Sequence, residues 1–313
     1  MAATFHDGEV ALQERAGSRA KLAEIGPRVI RDHMPDQHRD FFAQLPFILV
    51  GTVDVRGQPW ASVLAGEPGF VTSPDPRRLA VAARPLAHDP LAANLAEGAA
   101  IGLLGIEPHT RRRNRLNGWV AGRREGGFDV EVGQSFGNCP KYIQARRANF
   151  TSAPGEARPA QVLDTLDGPA RQLIARADTF FIATSHPQAG RGDAPAFGVD
   201  VSHRGGKPGF VRVEGDVLTV PDFVGNAFFN TLGNLAVNPR CGLLFMDFDT
   251  GDLLQLAARG EIIHEGPEVD AFQGAQRLMR FHVASALRLP AALPLRWGRA
   301  ELSPVLEATG AWR

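Results

Sequence analysis

GEPGFV at residues 66–71 recurs as GKPGFV at residues 206–211, 140 positions later, and an alternating apolar segment precedes each copy, residues 61–64 and 197–201. Working outward, PFILVGTV from Pro46 is matched by TFFIATS from Thr179. Downstream, HDPLAANLAEG from His88 is matched by GNAFFNTLGNLAVNP from Gly225, AAIGLLGIE by RCGLLFMDF, and RNRLNGWVAG by LLQLAARGEI. Features that recur in one order mark an internal duplication, which fixes the architecture before any single motif does.

Most of these pieces are short runs rich in Val, Ile, Leu and Phe, bounded by Gly, Pro and Asp, and read as strands. The exception is the Asn-rich stretch, where Phe228, Phe229, Leu232 and Leu235 fall at helical spacing until Pro239 stops them. The expected fold is therefore mainly β with flanking α: tandem small barrels with peripheral helices. Residues 17–42 and 269–289 read as further amphipathic helices, 149–160 as a Pro/Ala/Gly/Ser linker, and 163–177 as a helix leading into the second barrel. The resulting division is 1–42 helical, 43–150 first barrel, 151–178 linker and helix, and 179–313 second barrel with a C-terminal helix and tail.

Composition excludes several functions. The 313 residues carry no net charge, so nothing global draws the chain to nucleic acid or an anionic membrane, and an anionic ligand needs a local site. Cys139 and Cys241 have neither disulfide-framework nor metal-ligand spacing, and the N-terminus lacks a secretory pattern, so a cytoplasmic setting is expected. No window is long and apolar enough for a membrane span. His186, His203, His264 and His282 show no paired spacing, and no metal site is expected. No Ser-His-Asp set and no dinucleotide fingerprint is present.

The strings DVSHRGGKPGFVRV from Asp200, LTVPDFVGNAFFNTLGNLAVNPRCGLLFMDF from Leu218 and QSFGNCPKYIQ from Gln134 resemble the pyridoxamine 5′-phosphate oxidase-like FMN-binding split barrels, in a tandem form. FHDGEVALQERAG from Phe5 and LRWGRAELSPVLEATGAW from Leu295 extend the resemblance over nearly the whole chain. It implies FMN as cofactor, held mainly by the second repeat. Ser202, His203 and Arg204 offer donors beside Gly205 and Gly206, and Lys207 adds a charge. The resemblance puts Val220, Pro221 and Asp222 along the ring edge. Asn226, Asn230 and Thr231 fall at a helix start, where free N–H groups favour a phosphate. The plainer reading of the same residues is a hairpin turn with Asn226 and Asn230 capping a helix.

The first repeat has Val63, Leu64 and Ala65 where the second has Ser202–Gly205, and Glu67 in place of Lys207, so it is expected to lack a complete flavin site. Strand periodicity puts Arg111, Arg113 and Arg115 on one face, either reaching across to the flavin of the second barrel or forming a solvated basic edge; a nucleic-acid patch is the weaker third reading, since no aromatic residues interleave the arginines. Lys141 and Tyr142 are candidates for the substrate side or for a structural corner after Asn138. Arg296 and Trp297 resemble a C-terminal segment that approaches the cofactor in the family. The expectation is an FMN-dependent oxidoreductase that acts on a small molecule or a reduced nicotinamide and pairs as a homodimer, with no nucleic-acid or membrane partner. The alternative is a flavin- or haem-binding module without turnover, or an electron-transfer partner of a separate reductase.

Overall fold

The computed structural model describes residues 3–151, 158–190 and 194–312. Three helices, α1 (Asp7–Arg15), α2 (Arg19–Val29) and α3 (Asp36–Ala43), lead into β1 (Phe47–Val53), β2 (Pro59–Ala65), β3 (Val71–Asp75) and β4 (Arg78–Val81). A single turn, α4 (Leu91–Asn94), precedes β5 (Ala100–Glu107), β6 (Arg112–Arg124) and β7 (Gly127–Gly137). The connection carries β8 (Ala148–Phe150), β9 (Gln161–Leu163) and α5 (Gly168–Arg176). The second half runs β10 (Thr179–Ser185), β11 (Val199–Gly205), β12 (Arg212–Glu214), β13 (Val217–Asp222), α6 (Asn230–Val237), β14 (Arg240–Met246), β15 (Leu253–Ile263), α7 (Pro267–Asp270), β16 (Arg277–Leu289) and β17 (Leu295–Trp297).

The duplication is complete in topology. One sheet is ordered β2-β1-β5-β6-β7-β4-β3 and the other β11-β10-β14-β15-β16-β13-β12, the same permutation, with β9 added beside β16. Phe70 and Phe210, the aromatic of each repeated hexapeptide, are buried in the cores of their own halves. The fold is thus mainly β, two split barrels with helices at the periphery.

A third apolar cluster lies between the barrels, where Phe47, Leu49, Val63 and Leu104 meet Phe181, Ala183, Val201 and Leu244. The pairing is two-fold in character. A Cβ on Gly102 of β5 would collide with the Val199 carbonyl of β11, and a Cβ on Gly242 of β14 would collide with the Pro59 carbonyl of β2, the equivalent contact with the halves exchanged. The barrels therefore pair within one chain.

One element differs from the sequence reading. Residues 269–289 are not a helix: only α7 is helical, and β16 is a long strand. Val269, Phe272, Met279, Val283 and Ala286 have a spacing that imitates a helix, but β16 finds backbone partners in β15 on one edge and in β13 and β9 on the other, and tertiary pairing overrides the local pattern. The linker reading falls partly outside the described residues; within them, β8 pairs with β17. The helix read over 163–177 is α5, capped by Asp167, whose carboxylate accepts from the N–H of Ala170 at 2.9 Å. Among the described residues, no helix is long and apolar enough to cross a membrane.

Candidate functional site

Because β11 lies at the interface, its polar residues face β6 of the other barrel. A cleft opens there, lined by Arg113, Arg115, Asn138, Cys139, Lys141 and Tyr142 from the first half and by residues 202–205, Pro221, Asp222, Asn226 and the start of α6 from the second. Ala16 and Ser18, just after α1, close one side.

The floor is a buried polar chain. Arg115 pairs with Asp200, their side chains 4% and 3% exposed, and donates to Asn230 Oδ1 at 2.9 Å and to Ser202 Oγ. Thr231 donates to Ser202 Oγ at 2.9 Å, and Ser202 donates to Asp200 Oδ2 at 3.0 Å. Asn230 Nδ2 donates to Glu9 Oε1, bringing α1 into the network. Burial, aided by Asp200, raises the Glu9 pKa to about 8, so this carboxyl is protonated at neutral pH.

Above this floor the cleft is cationic. Arg113 donates to the carbonyls of Cys139 at 2.8 Å and His203 at 3.4 Å, and no carboxylate among the described residues pairs with it. Burial, then Arg115 and Arg204, lower its proton affinity, the situation that a bound anion relieves. Arg204 and Arg277 flank Asp222 at 3.3 and 3.4 Å, so two cations share one buried carboxyl. Burial holds His203 neutral, with its pKa well below the usual value. Arg115 Nε, Arg204 Nε and Asn138 Nδ2 are buried without hydrogen-bond partners. The start of α6 lines the cleft, and no side chain caps it: Phe229 occupies the cap position in the left-handed region at φ 64°. Uncapped first-turn N–H groups at the positive end of a helix form an anion site. Aromatic surface adjoins it, with the Tyr142 and Phe223 rings 5.0 Å apart and Arg277 over Phe229 at 4.9 Å.

The first half contains the equivalent place, closed from within. Ser62 corresponds to Ser202 and Gln255 to Arg115, and Gln255 donates to Ser62 Oγ across the interface at 3.2 Å. Asn94 donates to Thr52 at 3.1 Å as Asn234 does to Thr184 at 3.2 Å. Asp89, the counterpart of Phe229, accepts from Ser62 Oγ at 2.6 Å and from the Leu91 N–H at 2.8 Å. A carboxyl of the chain thus takes the first N–H of α4, whereas no side chain takes one at the start of α6.

The cleft thus gathers Ser202, His203, Arg204, Gly205, Pro221, Asp222, Asn226, Asn230, Thr231, Arg113, Arg115, Lys141 and Tyr142. Six of the anticipated residues lie elsewhere. Arg111 sits in the left-handed region before β6 and turns to Glu301, 2.9 Å away, and to the Ile143 carbonyl. Gly206 packs against the Phe210 ring, and its N–H donates to the Asp178 carbonyl. Lys207 donates to the Thr309 carbonyl at 2.7 Å. Val220 is buried in the barrel core. Arg296 donates to the carbonyls of Leu293 and Leu295, and Trp297 fills the inter-barrel core beside Phe47 and Phe248. The residues before the repeated hexapeptide are strand rather than turn, since β11 runs through Gly205. Sequence reasoning missed Arg277, hidden by the helical reading of β16, together with Phe223, Phe229 and Glu9. Register with Asp222 across β13 and β16 would have found Arg277.

The family profile described as pyridoxamine 5′-phosphate oxidase matches residues 34–160. A search of curated proteins returns no match. Among solved structures, HupZ of Group A Streptococcus is similar at 15% identity over 38% of this chain and 89% of its own, with a TM-score of 0.29. PhuS, a heme-binding protein from Pseudomonas aeruginosa, is similar at 10% identity over 92% of this chain and 94% of its own, with a TM-score of 0.21. The profile marks the first barrel as a pyridoxamine 5′-phosphate oxidase-like split barrel, and the second barrel repeats its strand order.

Proposed function

We propose that the inter-barrel cleft binds one FMN per chain and that the protein is an FMN-dependent oxidoreductase acting on a small molecule or a reduced nicotinamide. The observation that carries this reading is the contrast at the helix starts: the Asp89 carboxyl accepts the first N–H of α4, whereas no side chain accepts one at α6, which shares the cleft with Arg113, a cation with no carboxylate partner among the described residues. A phosphate supplies the missing acceptor.

Asn230, Thr231 and the first-turn N–H groups of α6 would hold the phosphate with Arg113, while Arg115 keeps Asn230 and Ser202 in place. Tyr142, Phe223 and Phe229 give the ring apolar cover and exclude water. Arg204, Arg277 and Lys141 leave the cleft positive after Asp222 is counted, which favours an anionic reduced cofactor. Bound FMN supplies a ring that accepts a hydride and passes electrons to an acceptor. The paired barrels already complete this cleft, so the reading needs no second copy of the chain.

An absorption spectrum of the purified protein, before and after adding FMN and then NADH or NADPH, tests the proposal. Flavin bands that bleach on reduction are expected. Flavin that binds without any turnover would reduce the function to a binding module, haem bands would replace the cofactor, and protein that ignores FMN would remove the reading altogether.

A further inference from the structure

Away from the cleft, the fold joins two histidines that are far apart in sequence. His6 caps the start of α1, His186 follows β10, and with Asp7 their ligand atoms all lie within 4.8 Å of one another. Asp7 Oδ1 is 3.5 Å from His6 Nδ1 and 3.7 Å from His186 Nε2. A tetrahedral ion with bonds of about 2.0–2.1 Å keeps its ligand atoms about 3.3–3.4 Å apart, so small side-chain adjustments bring the set to coordination distance.

The two rings are already oriented. His186 is stacked on Phe197 at 4.3 Å, and its Nδ1 accepts from the Gln188 N–H at 3.2 Å, which leaves Nε2 for a ligand bond. His6 is buried, and its Nε2 has no hydrogen-bond partner; the nearest carboxyl, Glu9 Oε2, is 3.7 Å away. Coordination through Nδ1 fixes the proton on Nε2, with the Asn234 side chain and the Glu9 carboxyl adjoining the ring as acceptors, the kind of partner that commonly supports a metal-bound imidazole. Both histidines are held neutral by burial, with their lone pairs available. Two effects oppose binding: Nδ1 must release the Gly8 N–H, 3.1 Å away, and the positive end of α1 repels a cation. The Asp7 carboxylate offsets the second, and being exposed it leaves room for water as a fourth ligand.

We propose that His6, Asp7 and His186 form a binding site for a divalent transition-metal ion of the zinc type. The ion would fasten the start of α1 to the end of β10, three residues from Glu9, which holds Asn230 at the cleft. The site would be structural, stiffening the cover of the cleft rather than taking part in its chemistry.

The test is titration of the chelator-treated full-length protein with Co2+, read by its tetrahedral absorption bands, followed by displacement with Zn2+. One ion per chain is expected, with a rise in melting temperature. Asp7→Asn, at an exposed position, and His186→Phe, which keeps the stacking on Phe197, should each weaken binding by about tenfold or more without unfolding the protein. Absence of Co2+ bands, or bands of undiminished intensity in either variant, would overturn the proposal.

Discussion

The two halves of this molecule share one strand order and one interface, yet differ in what fills a single equivalent position. At the first-half position Ser62 links Asp89, which accepts the first N–H of α4, to Gln255, which reaches across from the second half. In the second, Phe229 stands in the place of Asp89 and Arg115 in that of Gln255, and the helix start opens on a cleft with further arginines. The two copies share one geometry and differ in charge at two positions, and under the proposed function that difference decides which copy receives an anion.

The largest expected effect comes from making the open half resemble the closed one at Arg115. Arg115→Gln leaves Asp200 buried without its cation and should cost about 3–5 kcal/mol of stability as well as FMN retention. Adding Asp200→Asn should return most of the stability but none of the retention. Denaturant unfolding and flavin titration separate the two, and a single variant that stays stable and yellow would break the comparison.

Arg113→Ala should do the opposite. With no carboxylate left behind, stability should change little, while FMN affinity falls about tenfold to a hundredfold for loss of a charge-assisted contact. Unchanged affinity would remove Arg113 from the site.

Gly102→Ala and Gly242→Ala sharpen the comparison through the interface. Each Cβ meets a carbonyl of the opposite barrel, so each should cost about 1–3 kcal/mol and by similar amounts. Only Gly102→Ala, which displaces the start of β11, should also lower FMN affinity. Equal effects on binding would mean that the first-half site is not closed.

The smallest effect concerns pH. Glu9 holds its proton in the folded protein up to a pKa of about 8, against an ordinary value of 4.5. Between these values the folded state binds more protons than the unfolded state, so its contribution to stability is full below the lower value and is lost as pH rises through the upper one. Ionisation would also place a negative charge among Asp200, Arg115 and Asn230, weakening FMN binding. Glu9→Gln should flatten both profiles, measured as melting temperature and affinity across the range between the two pKa values and just beyond it; a parental slope in the variant would acquit Glu9.

Much of the architecture was legible because a duplicated order of short strands, each pair of halves sharing one helix position, fits few folds besides a repeated barrel. The cleft residues of β11, Asn230 and Thr231 were legible too, since polar groups interrupt an otherwise apolar pattern there. What escaped depended on register and distance. Arg277 was concealed by the helical spacing of Val269, Phe272, Met279, Val283 and Ala286, and Arg111 departed from its stripe because the backbone turns before β6 begins. Lys207 looked like a phosphate ligand from its place in the chain, yet the chain's C-terminal segment takes its ammonium group. The correspondence of Gln255 with Arg115 was present in the repeated strings but acquires meaning only once each is seen reaching a serine of the opposite barrel.

Titration of the full-length protein with FMN, followed by quenching of flavin fluorescence, tests the central claim most directly. Saturation at one FMN per chain, abolished in the Arg115→Gln/Asp200→Asn variant, is the predicted result. Saturation at two per chain, or no quenching at all, would contradict it.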